Sequence, residues 1–246
     1  MELELSIVDI FLAIGVVILG AILQGSIGFG LGPFSVPLLL LINPVFVPGP
    51  LLCIALVQTI LMYRREKYAV ILSDIKWATI GRLIGSIIGA FILTIIDKDH
   101  LSLLFAIVIL LSLLIFIGEV KLVLNITNII IVSIISGFMG TTTAIGGPPM
   151  GLLYQNENGP RVRGTLSGIF MIGTFISIIL LLLIGKLWLK EIVIALTLLP
   201  GIFIGLYFTK FLINFLDKGF LKPSIFITSA VSSLIIIYRY LNNFYN

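Results

Sequence analysis

Gln24-Gly25-Ser26-Ile27-Gly28-Phe29-Gly30-Leu31-Gly32-Pro33 and Gly140-Thr141-Thr142-Thr143-Ala144-Ile145-Gly146-Gly147-Pro148-Pro149 are the two stretches on which the reading of this chain turns. Each crowds glycine and proline into a strongly apolar run, where a helix would otherwise continue. In membrane transporters, a matched pair of such interruptions in two halves of a chain is the best sequence pointer to the binding site.

Composition places these breaks in a membrane. Of 246 residues, 59% are hydrophobic and 11% charged, against the ~25% charged that coats an ordinary soluble domain. Apolar runs at 44–63, 75–96, 101–118, 164–185, 192–213 and 221–241 each approach the ~20 residues that a helix needs to cross hydrocarbon. Barrel strands would alternate with a period of two, and these runs do not. The expected fold is therefore all-α, a polytopic membrane protein forming a single transmembrane domain over 1–246. The acidic start, Met1-Glu2-Leu3-Glu4, lacks the positive region of a cleaved signal peptide, so the first helix is expected to be retained. Cys53 is the single cysteine and offers no disulfide framework. The net charge of +4 is too small to suggest a nucleic-acid partner.

The breaks anchor an internal repeat. A shift of 115 positions pairs Gly25 with Gly140, Gly32 with Gly147, Pro33 with Pro148, Gly49 with Gly164, Ile54 with Ile169 and Thr59 with Thr174. With a few added residues, Gly85 and Gly89 fall on Gly201 and Gly205, and Asp97-Lys98 on Asp217-Lys218. Duplication divides the chain into repeat one, 10–120, and repeat two, 125–242.

Loop charges set the expected topology. With Arg64, Arg65 and Lys67 in the cytoplasm, one crossing per span brings Lys121, Arg161, Arg163, Lys218 and Lys222 to the same side, as the positive-inside rule prefers. The N-terminus then lies outside. Residues 10–47 must enter and return, as must 126–160 from the opposite face. Each repeat is thus expected to be a broken or re-entrant helical hairpin plus three transmembrane helices, the two repeats inverted.

An unpaired backbone group in hydrocarbon costs several kcal/mol, so such breaks must face protein, water or a ligand. Pro33 and Pro149 follow the glycines and suit the first turn of a new helix. Helix N-termini attract anions through free N–H groups and the dipole. The candidate substrate-binding residues are accordingly Gln24, Ser26, Gly28, Gly30, Gly32 and Pro33 in the first break, and Thr141, Thr142, Thr143, Gly146, Gly147 and Pro148 in the second. Their hydroxyl and amide groups donate well to oxyanions. The competing reading is close helix packing by small residues, which also covers Gln58 and the Gly81, Gly85, Gly89 series.

Arg82 is the one strong charge inside a predicted span. At such depth an ionisable residue defaults to function, here an anion relay. The alternative, which the nearness of Lys76 favours, is snorkelling to the cytoplasmic face or pairing between helices. Trp77, Trp188, Tyr63 and Tyr68 read as interfacial anchors. His100, in a short loop beside Asp97 and Asp99, lacks the spacing of a metal site. No cofactor and no metal is expected.

The first break, G-x-x-G-F-G-x-G-P-F-x-x-P-L-L over residues 25–39, resembles a motif of the sulfite exporter TauE/SafE family, also called the toluene sulfonate uptake permeases. Residues 137–149 are similar to that family's second glycine-rich motif. The resemblance spans nearly the whole chain. It implies a transporter, by expectation an exporter in the cell membrane, for small sulfur-containing anions such as sulfite or organosulfonates. The spacing of residues alone implies only "anion". Other readings are an anion channel using the same half-helices and a non-transporting membrane assembly protein. An enzyme is disfavoured, since no acid/base pair, activated nucleophile or metal cluster is visible. The partners expected are the small anionic substrate, the lipid bilayer and, as an open question, a second copy in a homodimer.

Overall fold

Ser6 starts the first helix by accepting the Val8 N–H on its hydroxyl at 3.2 Å while Asp9 accepts the Ser6 N–H at 3.2 Å, a reciprocal cap that satisfies two otherwise orphaned donors. The structure is a computed structural model that describes residues 5–96, 98–117 and 122–216. The helices are α1 (Ile7–Ile27), α2 (Leu31–Ile42), α3 (Gly49–Arg65), α4 (Leu72–Ile95), α5 (Lys98–Ile117), α6 (Ile126–Thr143), α7 (Gly147–Leu153), α8 (Gly159–Leu183) and α9 (Leu189–Leu216). Short 3-10 turns lie at Pro44–Phe46 and Lys67–Ala69. Among the described residues there is no strand. The expected span at 221–241 and the Asp217-Lys218 match lie outside them.

Asparagines at 125 and 158 cap α6 and α8 through their side-chain oxygens, at 2.8 and 3.1 Å. The two breaks end their helices alike. Gly28 (φ +91°) and Ala144 (φ +63°) take the left-handed conformation, each returning its N–H to a carbonyl four residues back, Gln24 at 2.8 Å and Gly140 at 2.9 Å. Glycine adopts that conformation without strain. Gly30 (φ +136°) then turns the chain back.

Among the described residues five helices are long and apolar enough to cross a membrane: α1, α4, α6, α8 and the Leu189–Phe211 part of α9. α3 matches the expected span at 44–63 but has 17 residues. Large apolar side chains such as Phe11, Phe91, Phe175 and Phe203 stand exposed on the outer faces, which suits contact with lipid rather than water. The hairpins differ from expectation in one respect. α1 alone has 21 residues, a rise of about 32 Å, so its break comes after a helix of spanning length rather than halfway along one.

α2 folds back on α1, where Gly20 leaves room for Ser35 and Leu31. α7 folds back on α6, where the Ser133 hydroxyl reaches Met150 Sδ at 3.5 Å. The remaining helices pair between the halves. α4 lies along α6 with Gly81 and Gly85 against the carbonyls of Ile130 and Ile134, and α9 lies along α1 with Gly201 and Gly205 against those of Ile14 and Ile18. Gly81 and Gly85 thus meet α6 in the way that Gly201 and Gly205 meet α1. A further contact is exchanged in kind. Gly25 of α1 accommodates Thr209 of α9, whereas Gly89 of α4 accommodates Thr141 of α6.

In the centre, α3 and α8 run antiparallel, Gly164 facing Glu66 and Gly168 facing Tyr63. Tyr63 and Trp77 are partly buried against an interior cluster of Ile75, Leu166 and Ile169, while Tyr68 and Trp188 are exposed. Cys53 is half-buried. His100 falls in the first turn of α5 rather than in a loop. Among the described residues no group of metal-ligating side chains forms.

A Cβ at Gly85 would overlap the Ile134 carbonyl, whereas one at Gly15 meets nothing within 4 Å. Gly85→Ala is expected to destabilise the protein by about 1–3 kcal/mol, and Gly15→Ala to stabilise it by up to about 1 kcal/mol. Thermal unfolding of the purified variants checks both; equal midpoints would deny the close α4–α6 approach.

Candidate functional site

The two breaks, separated by more than a hundred residues in sequence, touch. Gly32 sits against the Ala144 carbonyl and Ile145, and Phe29 lies over Gly147 and Gly151. The starts of α2 and α7 therefore meet side by side. A cavity of about 40 Å³ opens there, lined by both breaks, by Thr59 and Leu52 of α3, by Phe170 and Thr174 of α8, and by Arg82 of α4. On this measure one water needs ~10–15 Å³, so the space takes about three. Two pairs matched by the 115-residue shift, Gly32 with Gly147 and Thr59 with Thr174, line this one cavity.

Arg82 does not snorkel. Its side chain is 2% exposed, because α4 begins at Leu72 and thus carries residue 82 almost three turns into the bundle. Four glycines make room for it: Gly137 accommodates its backbone, Gly140 and Gly146 its terminal nitrogens, and Gly173 its Nε. Nη1 donates to Ser136 Oγ at 2.8 Å, and Ser136 donates to the Gly146 carbonyl at 2.6 Å. The guanidinium carbon lies 5.4 Å from the Phe170 ring centre, within cation–π range. Nε has no partner. Among the described residues no carboxylate pairs with Arg82.

Of the residues expected at the site, Gln24, Gly30, Gly32, Pro33, Gly146 and Gly147 line the cavity. Gln24 accepts the Leu31 N–H on Oε1 at 3.2 Å, bridging the first break. The lining does not include Ser26, Gly28, Thr141, Thr142, Thr143 or Pro148. Ser26 donates to the Ile22 carbonyl at 2.7 Å, and Thr142 and Thr143 donate to Phe138 and Met139 at 2.8 Å each. Thr141 and Ser177 share a hydrogen bond at 2.7 Å between α6 and α8. Gln58 donates to the Ala21 carbonyl at 2.9 Å, tying α3 to α1. The helix starts also offer fewer donors than expected, since Pro33, Pro148 and Pro149 carry no N–H and Gln24 already occupies that of Leu31.

A second set of charges was not anticipated. The last carbonyls of α1 need partners, and two arginines supply them: Arg65 Nη2 donates to Gly25 O at 2.6 Å, and Arg163 Nη1 to Ser26 O at 3.2 Å. Both also hold Glu66 Oε1 through Nε at 3.1 Å. Cations at a helix C-terminus complement its dipole. Tyr68 OH donates to the other Glu66 oxygen at 3.0 Å, and that bond, with the carboxylate charge, pushes the phenol pKa up. Away from the break, buried Tyr154 closes the end of α7 by donating to Asp74 at 2.8 Å. The sequence signal for the first cluster was Glu66 itself, an acid set among Arg64, Arg65 and Lys67.

Glu66 and Arg163 are 4% and 7% exposed. Removing one partner of a buried pair costs about 3–5 kcal/mol. Glu66→Gln is expected to lose a large part of that and to lower the unfolding midpoint well below that of Arg64→Gln, whose residue makes no such bond. Matching midpoints would mean that the cluster carries no stability.

A family model described as sulfite exporter TauE/SafE matches residues 12–236. No curated protein and no solved structure matches the chain. The family match takes in both glycine-rich breaks, the helices that enclose their cavity and Arg82. The chain belongs to the sulfite exporter TauE/SafE family, membrane transporters of sulfur-containing anions.

Proposed function

We propose that this protein exports a small sulfur oxyanion, sulfite being the simplest, across the cell membrane, and that the anion binds in the cavity where the two breaks meet. The observation that carries this reading is Arg82: a guanidinium almost wholly buried, on the cavity wall, with an unpartnered Nε and no paired carboxylate among the described residues. A charge deep in a membrane span costs at least ~2.5 kcal/mol. A transiently bound anion offsets that cost, and a guanidinium presents donors in a fork that matches oxyanion geometry. The polar edges of Thr59, Thr174 and Gln24 and the partial charges of the α2 and α7 starts complete the surroundings. Room for about three waters favours an inorganic oxyanion over an aryl sulfonate.

The transport cycle follows from an inverted repeat. Antiparallel α3 and α8, the α4–α6 pairing answered by α9–α1, and cavity residues drawn in matched pairs all support two halves of opposite topology; the loop charges support an N-terminus outside. One wall of the cavity belongs to the α1–α2 hairpin and the other to α6–α7. Rocking of one hairpin against the other opens the site first to one face and then to the opposite one. Phe29, packed on Gly147 and Gly151, lies where the hairpins would part.

Two outcomes test this. In a thermal-shift series with sulfite, sulfate, thiosulfate, taurine, sulfoacetate and aryl sulfonates, a small sulfur oxyanion should stabilise the wild type most. Arg82→Gln should weaken that response at least about tenfold, the loss of a charge-assisted bond of 1.5–3 kcal/mol; an unchanged response removes Arg82 from the site. Gly147→Leu or a bulky residue at Gly32 should abolish sulfite flux in proteoliposomes while leaving membrane insertion largely intact. Wild-type flux through Gly147→Leu would take the paired breaks out of the mechanism.

A further inference from the structure

Apart from the central cavity, a groove of about 280 Å³ lies between α3 and α9, open to the outside of the bundle. Leu61, Met62, Phe203 and Leu206 make it apolar. Its two charged lining residues, Arg65 and Lys210, are both cationic. Gly49 at the start of α3 faces Glu191 near the start of α9, so the two helices run the same way and bring Arg65 and Lys210 to the same end of the groove. Lys210 Nζ stands 5.9 Å from the Tyr207 ring centre.

In a bilayer such a groove is not filled by water. An empty apolar cleft forfeits dispersion contacts along its whole lining, and among what surrounds the described residues in a bilayer, a lipid chain suits it. Arg65 shares Glu66 with Arg163, so with Lys210 that end of the groove keeps a net positive charge, which calls for a phosphate. Arg65 lies beside Arg64 and Lys67, at the end of the bundle that loop charges place in the cytoplasm, where the leaflet carries anionic lipid. We propose that the α3–α9 groove binds an anionic glycerophospholipid, one acyl chain lying along Leu61, Phe203 and Leu206 and the phosphate seated between Arg65 and Lys210. The site has a direct line to the first break. Arg65 also donates to the Gly25 carbonyl at 2.6 Å, and Leu206 packs beside Gly25. A seated headgroup holds Arg65 in place and so steadies the end of α1.

The test is thermal unfolding of the full-length protein in detergent, titrated with dioleoylphosphatidylglycerol, dioleoylphosphatidylcholine or inorganic phosphate. Phosphatidylglycerol should raise the midpoint by about 5 °C, the size expected of a tight single-site ligand. The other two should leave it within a degree or so. Lys210→Gln, which removes one cation from an exposed position, and Leu61→Trp, which fills the groove, should each cut the rise by at least half, with the response to sulfite unchanged. Equal rises with phosphatidylcholine or phosphate, or a full wild-type rise in Lys210→Gln, would overturn the assignment. If Leu61→Trp does not fold, Lys210→Gln decides alone. Because sulfite is assayed in parallel, failure of the lipid site and failure of the transport site give different results.

Discussion

A helix that stops where protein rather than water surrounds its end leaves carbonyl and amide groups that no solvent will satisfy, and the organisation of this protein follows from how that demand is met twice. At the first break the carbonyls of Gly25 and Ser26 are taken by Arg65 and Arg163, and the Leu31 amide by Gln24. At the second, the Gly146 carbonyl is taken by Ser136 and the Ile145 amide by Thr143. Proline supplies a different solution, deleting a donor instead of pairing it. Helix ends that would be intolerable facing lipid become tolerable in the middle of the bundle, and each ends up as the other's neighbour.

Meeting the demand this way brings a charge inside. Ser136, which satisfies Gly146, is held in turn by Arg82. The glycines around the guanidinium are what make room for it: a side chain at Gly140, Gly146 or Gly173 would occupy its space. The same residues therefore appear twice over in the physics, once as backbone that needs partners and once as the walls of a pocket for a cation. The chemistry of the site grows out of the requirements of the fold.

How much of this was legible beforehand depends on the kind of signal. The hairpins were readable because glycine and proline act locally, and both helix restarts fell within two residues of the prolines that announced them. Side-chain direction was not. Thr141, Thr142 and Thr143 stand about 100° apart around a helix, so three successive hydroxyls cannot all face one cavity, and in the event they bond to backbone or to Ser177. For Arg82 the snorkelling reading rested on a helix start placed three residues too late, whereas pairing between helices, offered beside it, matches the bond to Ser136 of α6. The Arg65–Glu66–Arg163 cluster joins positions about a hundred residues apart, and nothing in a single sequence marks such a partnership. Loop charge was read there as topology alone, while part of it caps a helix end.

The exchanged contact between the halves carries a last consequence. Where α1 meets α9 the small residue is Gly25 and the larger is Thr209; where α6 meets α4 the larger is Thr141 and the smaller Gly89. At these two contacts glycine and threonine face each other, but on opposite sides. At either contact neither position is free to change by itself, since bulk gained on one helix has to coincide with bulk surrendered on the other. The two contacts differ in which partner bears the hydroxyl, so the two helix pairs are alike in kind without being interchangeable.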